Sequence, residues 1–306
     1  MPNLGKNRKT DLPNLGKKRR ILPNLGKTRP GLSTLACLLV LAIFAGTALW
    51  AGASAAYYRF RDVTPPWQVQ HLDARYLPPS AGHLLGTDGL GRSVAQRLAQ
   101  GAWIAFQVGV VSSCIAIPLG LLLGALAGWF GGWFDDLAVW ISTTFAAIPG
   151  LLFVLAISMV VGKGLLGVFL AIGLTTWVGV FRLVRAEVLR QKARGYVRAA
   201  RALGFSSARI LFRHVLPNVF HIAIVTFTLR FPASIGTEIF LGFLGIGVQD
   251  QPSWGVMIAG ARLRLWQGVW WELAAVTAAI FAVVLAFNIL GDRLRDALDP
   301  RLRNAP

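Results

Sequence analysis

Residues 102–129 read AWIAFQVGVVSSCIAIPLGLLLGALAGW and hold no Asp, Glu, Lys or Arg. A helix needs about 20 mostly apolar residues to cross the hydrocarbon of a bilayer, and this stretch exceeds that length. Gly120, Gly124 and Gly128 recur every four positions, with Pro118 just before them. In lipid no hydrophobic force pushes helices together, so missing side chains favour close backbone approach. The stretch is therefore expected to be a spanning helix packed tightly against another.

Working outward, five further runs have the same character: roughly 33–57, 137–161, 165–183, 219–247 and 271–290. Pro232 interrupts the fifth span in chain order and predicts a kink or break there. The first span ends in Ala51-Gly52-Ala53-Ser54-Ala55, which resembles a signal-peptidase site. Its apolar run is nevertheless longer than the ~7–15 residues of a signal core, so an uncleaved anchor is expected. Gly131-Gly132 beside Asp135-Asp136 reads as a tight turn with carboxylates at the start of the third helix. Only 14% of the 306 residues are charged, against roughly 25% in soluble domains. The expected fold class is all-α: a polytopic membrane bundle of six transmembrane helices with a cytoplasmic helical hairpin.

The net charge of +18 is distributed in blocks beside the spans, a pattern of membrane topology and not of nucleic-acid binding. Twenty-two Lys and Arg fall in the N-terminal tail, the 182–213 segment and the C-terminal tail, against eight on the other side. The positive-inside bias thus places both termini and the 182–218 loop in the cytoplasm of a multi-pass membrane protein. Three regions follow. Residues 1–30 repeat Pro-Asn-Leu-Gly-Lys at 2–6, 13–17 and 23–27 and are expected to be a disordered basic tail. Residues 31–79 carry the first span and an external loop, and residues 80–306 hold five spans and the 182–218 loop.

No nucleophile–base set or metal cluster is legible. Cys37 and Cys114 lie in apolar runs as packing residues, and His71, His83, His214 and His221 form no ligand spacing. Gly26-Lys27-Thr28 lacks the upstream glycine of a phosphate loop, Ile21 standing there. Arg230 and Glu238 are ionisable residues inside the fifth span. Such residues are costly at membrane depth and usually face a bundle interior or a water-filled path. They read either as lining a translocation path or as satisfied by their neighbours.

The segment Tyr196-Val197-Arg198-Ala199-Ala200-Arg201-Ala202-Leu203-Gly204 continues to His214-Val215-Leu216-Pro217-Asn218. It reads as a basic helix with small residues on one side, a turn at Gly204, and a second short helix ending where Pro217 begins the next span. Such a hairpin is either a knob for a partner's cleft or a loop lying on anionic headgroups.

These residues resemble the dipeptide/oligopeptide/nickel permease family of ABC importers, whose cytoplasmic loop reads E-A-A-x3-G-x9-I-x-L-P. Ala199, Ala200, Gly204, Leu216 and Pro217 stand at that spacing. Arg198 replaces the Glu and His214 the Ile. Further family-like motifs are His83 to Arg92 (with Ser93 in place of the usual acid), Leu241 to Gly247 with Pro252 to Gly255, and Leu290 to Asp292 with Arg295 to Arg301.

The resemblance implies a permease subunit, not an enzyme, that forms the path for short peptides or a related small solute. It implies a place in the bacterial inner membrane, a second permease in a heterodimer with this chain, two ABC ATPase subunits that bind the ATP, and an extracytoplasmic substrate-binding protein. The chain itself would bind no cofactor, touch membrane lipid, and bind no nucleic acid. Its ATPase-docking residues would be Tyr196, Arg198, Ala199, Ala200, Gly204, Leu216 and Pro217. An ion-coupled secondary transporter is the alternative; it requires intramembrane carboxylates, of which only Glu238 qualifies.

Overall fold

Apolar length sets the architecture, and buried polar contacts extend it past the apolar runs. The computed structural model describes residues 32–298; the repeats of 1–30 and the C-terminal motif from Asp299 onward lie outside the described residues. Five helices are long and apolar enough to cross a membrane. They are α1 (Leu32–Phe60), α2 (Val94–Phe130), α5 (Leu165–Lys192), α9 (His221–Phe243) and α11 (Trp271–Leu298), with the short α10 (Trp254–Ala261) between the last two. At 37 residues, α2 is about 55 Å long and outruns a hydrocarbon core of about 30 Å. It begins well before residue 102 because its first turns bury polar side chains with partners. Gln100 Nε2 donates to the Ala51 carbonyl at 2.9 Å, and Arg97 is held by Asp88 at 2.7 Å.

The expected span over 137–161 is not one straight helix. It is α3 (Gly132–Ala147) and α4 (Gly150–Val161), which meet at 95°. Ile148 is extended (ψ 131°) and Pro149 follows it. Proline disfavours helical geometry at the residue before it and offers no N–H to continue the ladder. The bundle has six spans when this bent pair is taken as one crossing. Pro232 acts differently, because α9 runs continuously through it. Glycine turns flank the bent pair: Gly131 and Gly132 have φ of 69° and 61°, Gly162 and Gly164 of 110° and 113°.

The glycine ladder of α2 packs on α5 as its spacing requires. A Cβ on Gly120 would meet Val180 and the Trp177 carbonyl. On Gly124 it would meet the Phe181 carbonyl and Val184, and on Gly128 the Arg185 carbonyl and Val188. Each four-residue step along α2 meets residues about one turn further along α5, so the two backbones lie in contact over two turns. Nearer the start of α2, Phe231 of α9 lies over Gly109 and stacks on Phe287 of α11 at 4.3 Å. Phe44 of α1 meets Phe231 edge-on at 6.3 Å. Many Leu, Ile and Trp side chains on the outer faces remain exposed, as lipid-facing helices require.

The loop before α2 is locked from within. Asp88 is 2% exposed and accepts from the Leu90 and Arg92 backbone N–H groups and from the Arg92 and Arg97 side chains. Burial pushes its carboxyl up, but the Arg92 hydrogen bond, the Arg97 charge and the two N–H donors outweigh that, holding it below the ordinary 3.8. Trp271 Nε1 donates to the Thr87 carbonyl at 3.1 Å, tying this loop to the start of α11.

Candidate functional site

At the other end of α2 and α5 lies the hairpin. Lys192 closes α5 by donating to the Trp129 carbonyl at 2.6 Å, so the last turns of the two long helices are bonded to each other. Arg185 makes a two-pronged ion pair with Asp135 of α3, at 2.5 and 2.6 Å. The Asp135 carboxylate was legible as a helix-start residue, whereas its partner fifty positions away was not.

The first arm is α6 (Gly195–Ala202). Val197 and Ala200, three apart and hence on one face, are buried against Trp129, Val184 and Val188. The Tyr196 hydroxyl donates to Gln191 at 2.9 Å, bracing the arm on α5. Arg201 lies over the Trp129 ring at 5.3 Å. The adjacent alanines therefore divide: Ala200 faces inward and Ala199 is exposed, although both were expected on one small-residue face.

Gly204 ends the arm with φ +79°. Its N–H donates to the Arg201 carbonyl at 2.9 Å, and the Phe205 N–H donates to the Ala200 carbonyl at 3.2 Å. This pairing closes a helix C-terminus around a left-handed residue, the conformation glycine adopts without strain. A Cβ at Gly204 would meet no atom of the described residues within 4 Å. Its backbone is constrained, but the space around it is empty.

The second arm begins at Ser206, whose Oγ accepts from the Arg209 N–H at 3.4 Å. It runs through α7 (Ser207–Ile210), a π-helical stretch Leu211–Val215, and α8 (Leu216–Val219). Pro217 sits inside α8, and the span itself starts at His221. Lacking an N–H, Pro217 cannot support the preceding turn, and the widened π turn lies directly before it. Asn218 Nδ2 donates to the His214 carbonyl at 2.7 Å. Ile210, Leu211, Val215 and Val219 are buried in the same cluster as Val197 and Ala200. His214, at the position where the resemblance expects Ile, stacks on Phe205 with ring centres 6.0 Å apart and 6° between planes. The imidazole face thus supplies the inter-arm packing there.

The outer surface contrasts with this interior. Leu203 is 74% exposed at the turn, and Arg198, Ala199, Ala202, Phe212 and Pro217 are exposed around it; Leu216 is half-buried. Arg198 makes no ion pair among the described residues.

The two intramembrane candidates are not brought together. Arg230 is half-buried, its Nε without a hydrogen-bond partner among the described residues. Glu238 is fully buried, and neither carboxylate oxygen has a partner there. They form no ion pair with each other.

Comparison with known proteins places this arrangement. Residues 120–304 match the family described as "Binding-protein-dependent transport system inner membrane component". The chain is 39% identical over 235 residues to the dipeptide transport system permease protein DppC of Bacillus subtilis (strain 168), covering 76% of this chain and 73% of that one. It is 38% identical over 277 residues to the di/tripeptide transport system permease protein DppC of Pseudomonas aeruginosa (strain UCBPP-PA14), covering 90% and 89%. The glutathione transport system permease protein GsiD of Escherichia coli O1:K1 / APEC is 40% identical over 74% of each chain. In fold, the chain resembles a chain of the inward-facing MetNI methionine ABC transporter, with a TM-score of 0.53 at 18% identity. That match covers 66% of this chain and 96% of the other.

Proposed function

This chain belongs to the family of binding-protein-dependent transport system inner membrane components, and from that membership we propose how it transports and with whom. It is a multi-pass permease subunit of an ABC importer, and ATP hydrolysis belongs to a separate subunit. The proposed solute is a short peptide, the class named for several of its relatives. The proposed assembly has two permeases, this chain and a different partner, two ATPases, and an extracytoplasmic binding protein.

The hairpin of residues 193–219 is the proposed ATPase-docking element, with Tyr196, Arg198, Ala199, Ala200, Gly204, Leu216 and Pro217 as its residues. Both termini then lie in the cytoplasm, as the basic blocks favour. The carrying observation is Gly204: a turn with strict backbone geometry, an exposed apolar neighbour in Leu203, and no atom of the described residues within 4 Å of an added Cβ. Motion of the hairpin would pass to the membrane through a stiff unit. Lys192 bonds the end of α5 to Trp129, and the glycine ladder holds α5 against α2. A push on α6 therefore moves two spanning helices together, which suits a switch between outward- and inward-facing states.

Arg230 and Glu238 are the proposed ionisable groups of the path, Glu238 being reached only when α9 shifts from its neighbours. The test is uptake by the reconstituted assembly in vesicles. Transport should require ATP and fail on an ion gradient alone, and Gly204→Val should insert normally yet transport little. Uptake driven by a gradient without ATPases would overturn the reading.

A further inference from the structure

The hairpin has an unusual charge pattern for the site proposed above. Residues 193–219 include Arg194, Arg198, Arg201, Arg209 and Arg213 and no Asp or Glu. Two of these arginines are occupied within the chain: Arg201 over Trp129 and Arg209 over Phe205, at 5.3 and 5.6 Å. Arg194, Arg198 and Arg213 are exposed and make no ion pair among the described residues. The hairpin also exposes Leu203 at its turn (74%) and Phe212, next to Arg213, on its second arm (52%).

We propose that this hairpin selects an ATPase whose docking groove has an apolar floor and a carboxylate-bearing rim, with Arg198 meeting one of those carboxylates. The inference rests on reading the hairpin as the ATPase-docking element. Exposed cations beside exposed apolar side chains are complementary to a groove that carries acids beside an apolar floor, and such complementarity governs which partner is accepted. It also rejects. The motif that the resemblance implies has Glu where this chain has Arg198, so a groove with a cation placed for such a Glu would face a like charge here. Arg198 is in this sense a specificity determinant, discriminating between ATPases otherwise shaped alike.

A lipid surface fits the geometry less well, because the hairpin's apolar face (Val197, Ala200, Ile210, Val215 and Val219) is buried against α2 and α5 and is not free to enter headgroups.

The test uses the full assembly purified through this chain in mild detergent, carrying Arg198→Glu, Arg198→Gln, Arg198→Lys or Gly204→Val. Because Arg198 is exposed, its variants should melt like wild type. ATPase recovery should fall at least about tenfold for Arg198→Glu, less for Arg198→Gln, and little for Arg198→Lys. Raising salt should weaken wild type and Arg198→Lys more than Arg198→Gln. Reversing a rim carboxylate of the ATPase to Lys should restore recovery with Arg198→Glu.

If Gly204→Val loses the ATPase while Arg198→Glu retains it at the wild-type level, the charge proposal fails and the docking reading stands. If wild type recovers no ATPase, but binds vesicles of phosphatidylglycerol in preference to phosphatidylcholine and loses that preference with Arg198→Glu, both fail in favour of headgroups.

Discussion

The loop of residues 61–93 and the hairpin of residues 193–219 sit at opposite ends of α2, and each turns on glycines of positive φ. At Gly86 an added Cβ would lie 2.7 Å from both the Leu77 carbonyl and Trp271. At Gly89 it would meet Arg264 and Tyr76, and at Gly91 it would overlap the His71 carbonyl oxygen. At Gly204 it would meet no atom of the described residues. The first loop is closed around Gly86, Gly89 and Gly91 by other parts of the chain, and Asp88 pairs there with Arg92 and Arg97. The hairpin keeps its glycine, its apolar tip and three of its arginines turned outward. Where a chain fills its own space, a glycine serves the fold; where that space is left open, it can serve a partner.

The largest effect should come from Gly91→Val, which combines a strained φ of +71° with backbone overlap. No monodisperse protein should be recovered after detergent extraction, and a normal yield would break the contrast at its root. Next is Asp88→Asn, which leaves the buried Arg97 without its counter-charge. Removing one partner of a buried pair costs about 3–5 kcal/mol, to be read as a lower melting temperature.

The same carboxylate gives a pH signature. Its folded pKa is depressed, so its contribution to stability is present above the ordinary value of 3.8 and is lost as pH falls through the lower folded value. Wild-type melting should hold from neutral pH down to about the ordinary aspartate range and then fall. The Asp88→Asn protein should lack that component.

Gly204→Val should cost only about 1–2 kcal/mol, from the left-handed backbone, while abolishing most uptake. Gly204→Asn, which tolerates that backbone, should melt closer to wild type and show how much of the defect is steric. If uptake tracks melting temperature across these two variants, the space at Gly204 has no partner in it. The smallest effect is expected for Asp135→Asn. Its pair with Arg185 is partly exposed (31% for the Arg185 side chain), so a loss of about 1 kcal/mol or less is expected by the same melting assay.

Much of this was legible in the residues because membranes impose strict length and composition. The six apolar runs, the Gly120–Gly124–Gly128 contact surface and the turn at Gly204 follow from local chemistry alone. Helix ends were less legible. Arg97 and Gln100 look like the border of an apolar run, yet both are inside α2 because Asp88 and the Ala51 carbonyl satisfy them. The charged turns to Lys192 continue α5 because Trp129 caps and packs them.

Five residues mark where local reading ends. Pro149 breaks its span and Pro232 does not, although both are prolines in apolar surroundings; which helix tolerates a missing N–H depends on what packs beside it. Ala199 and Ala200 are chemically identical, and only the position of Trp129 and Val188 decides that one is buried and the other presented. Glu238 reads as a path residue, yet the described residues enclose it completely. The sequence alone determined that this chain crosses the membrane repeatedly, where its glycines permit contact or turning, and which loop carries unmatched positive charge, since these depend on local composition and spacing. Only the tertiary structure decided which polar groups find partners and which glycine is left facing open space, because both depend on atoms far away in the chain.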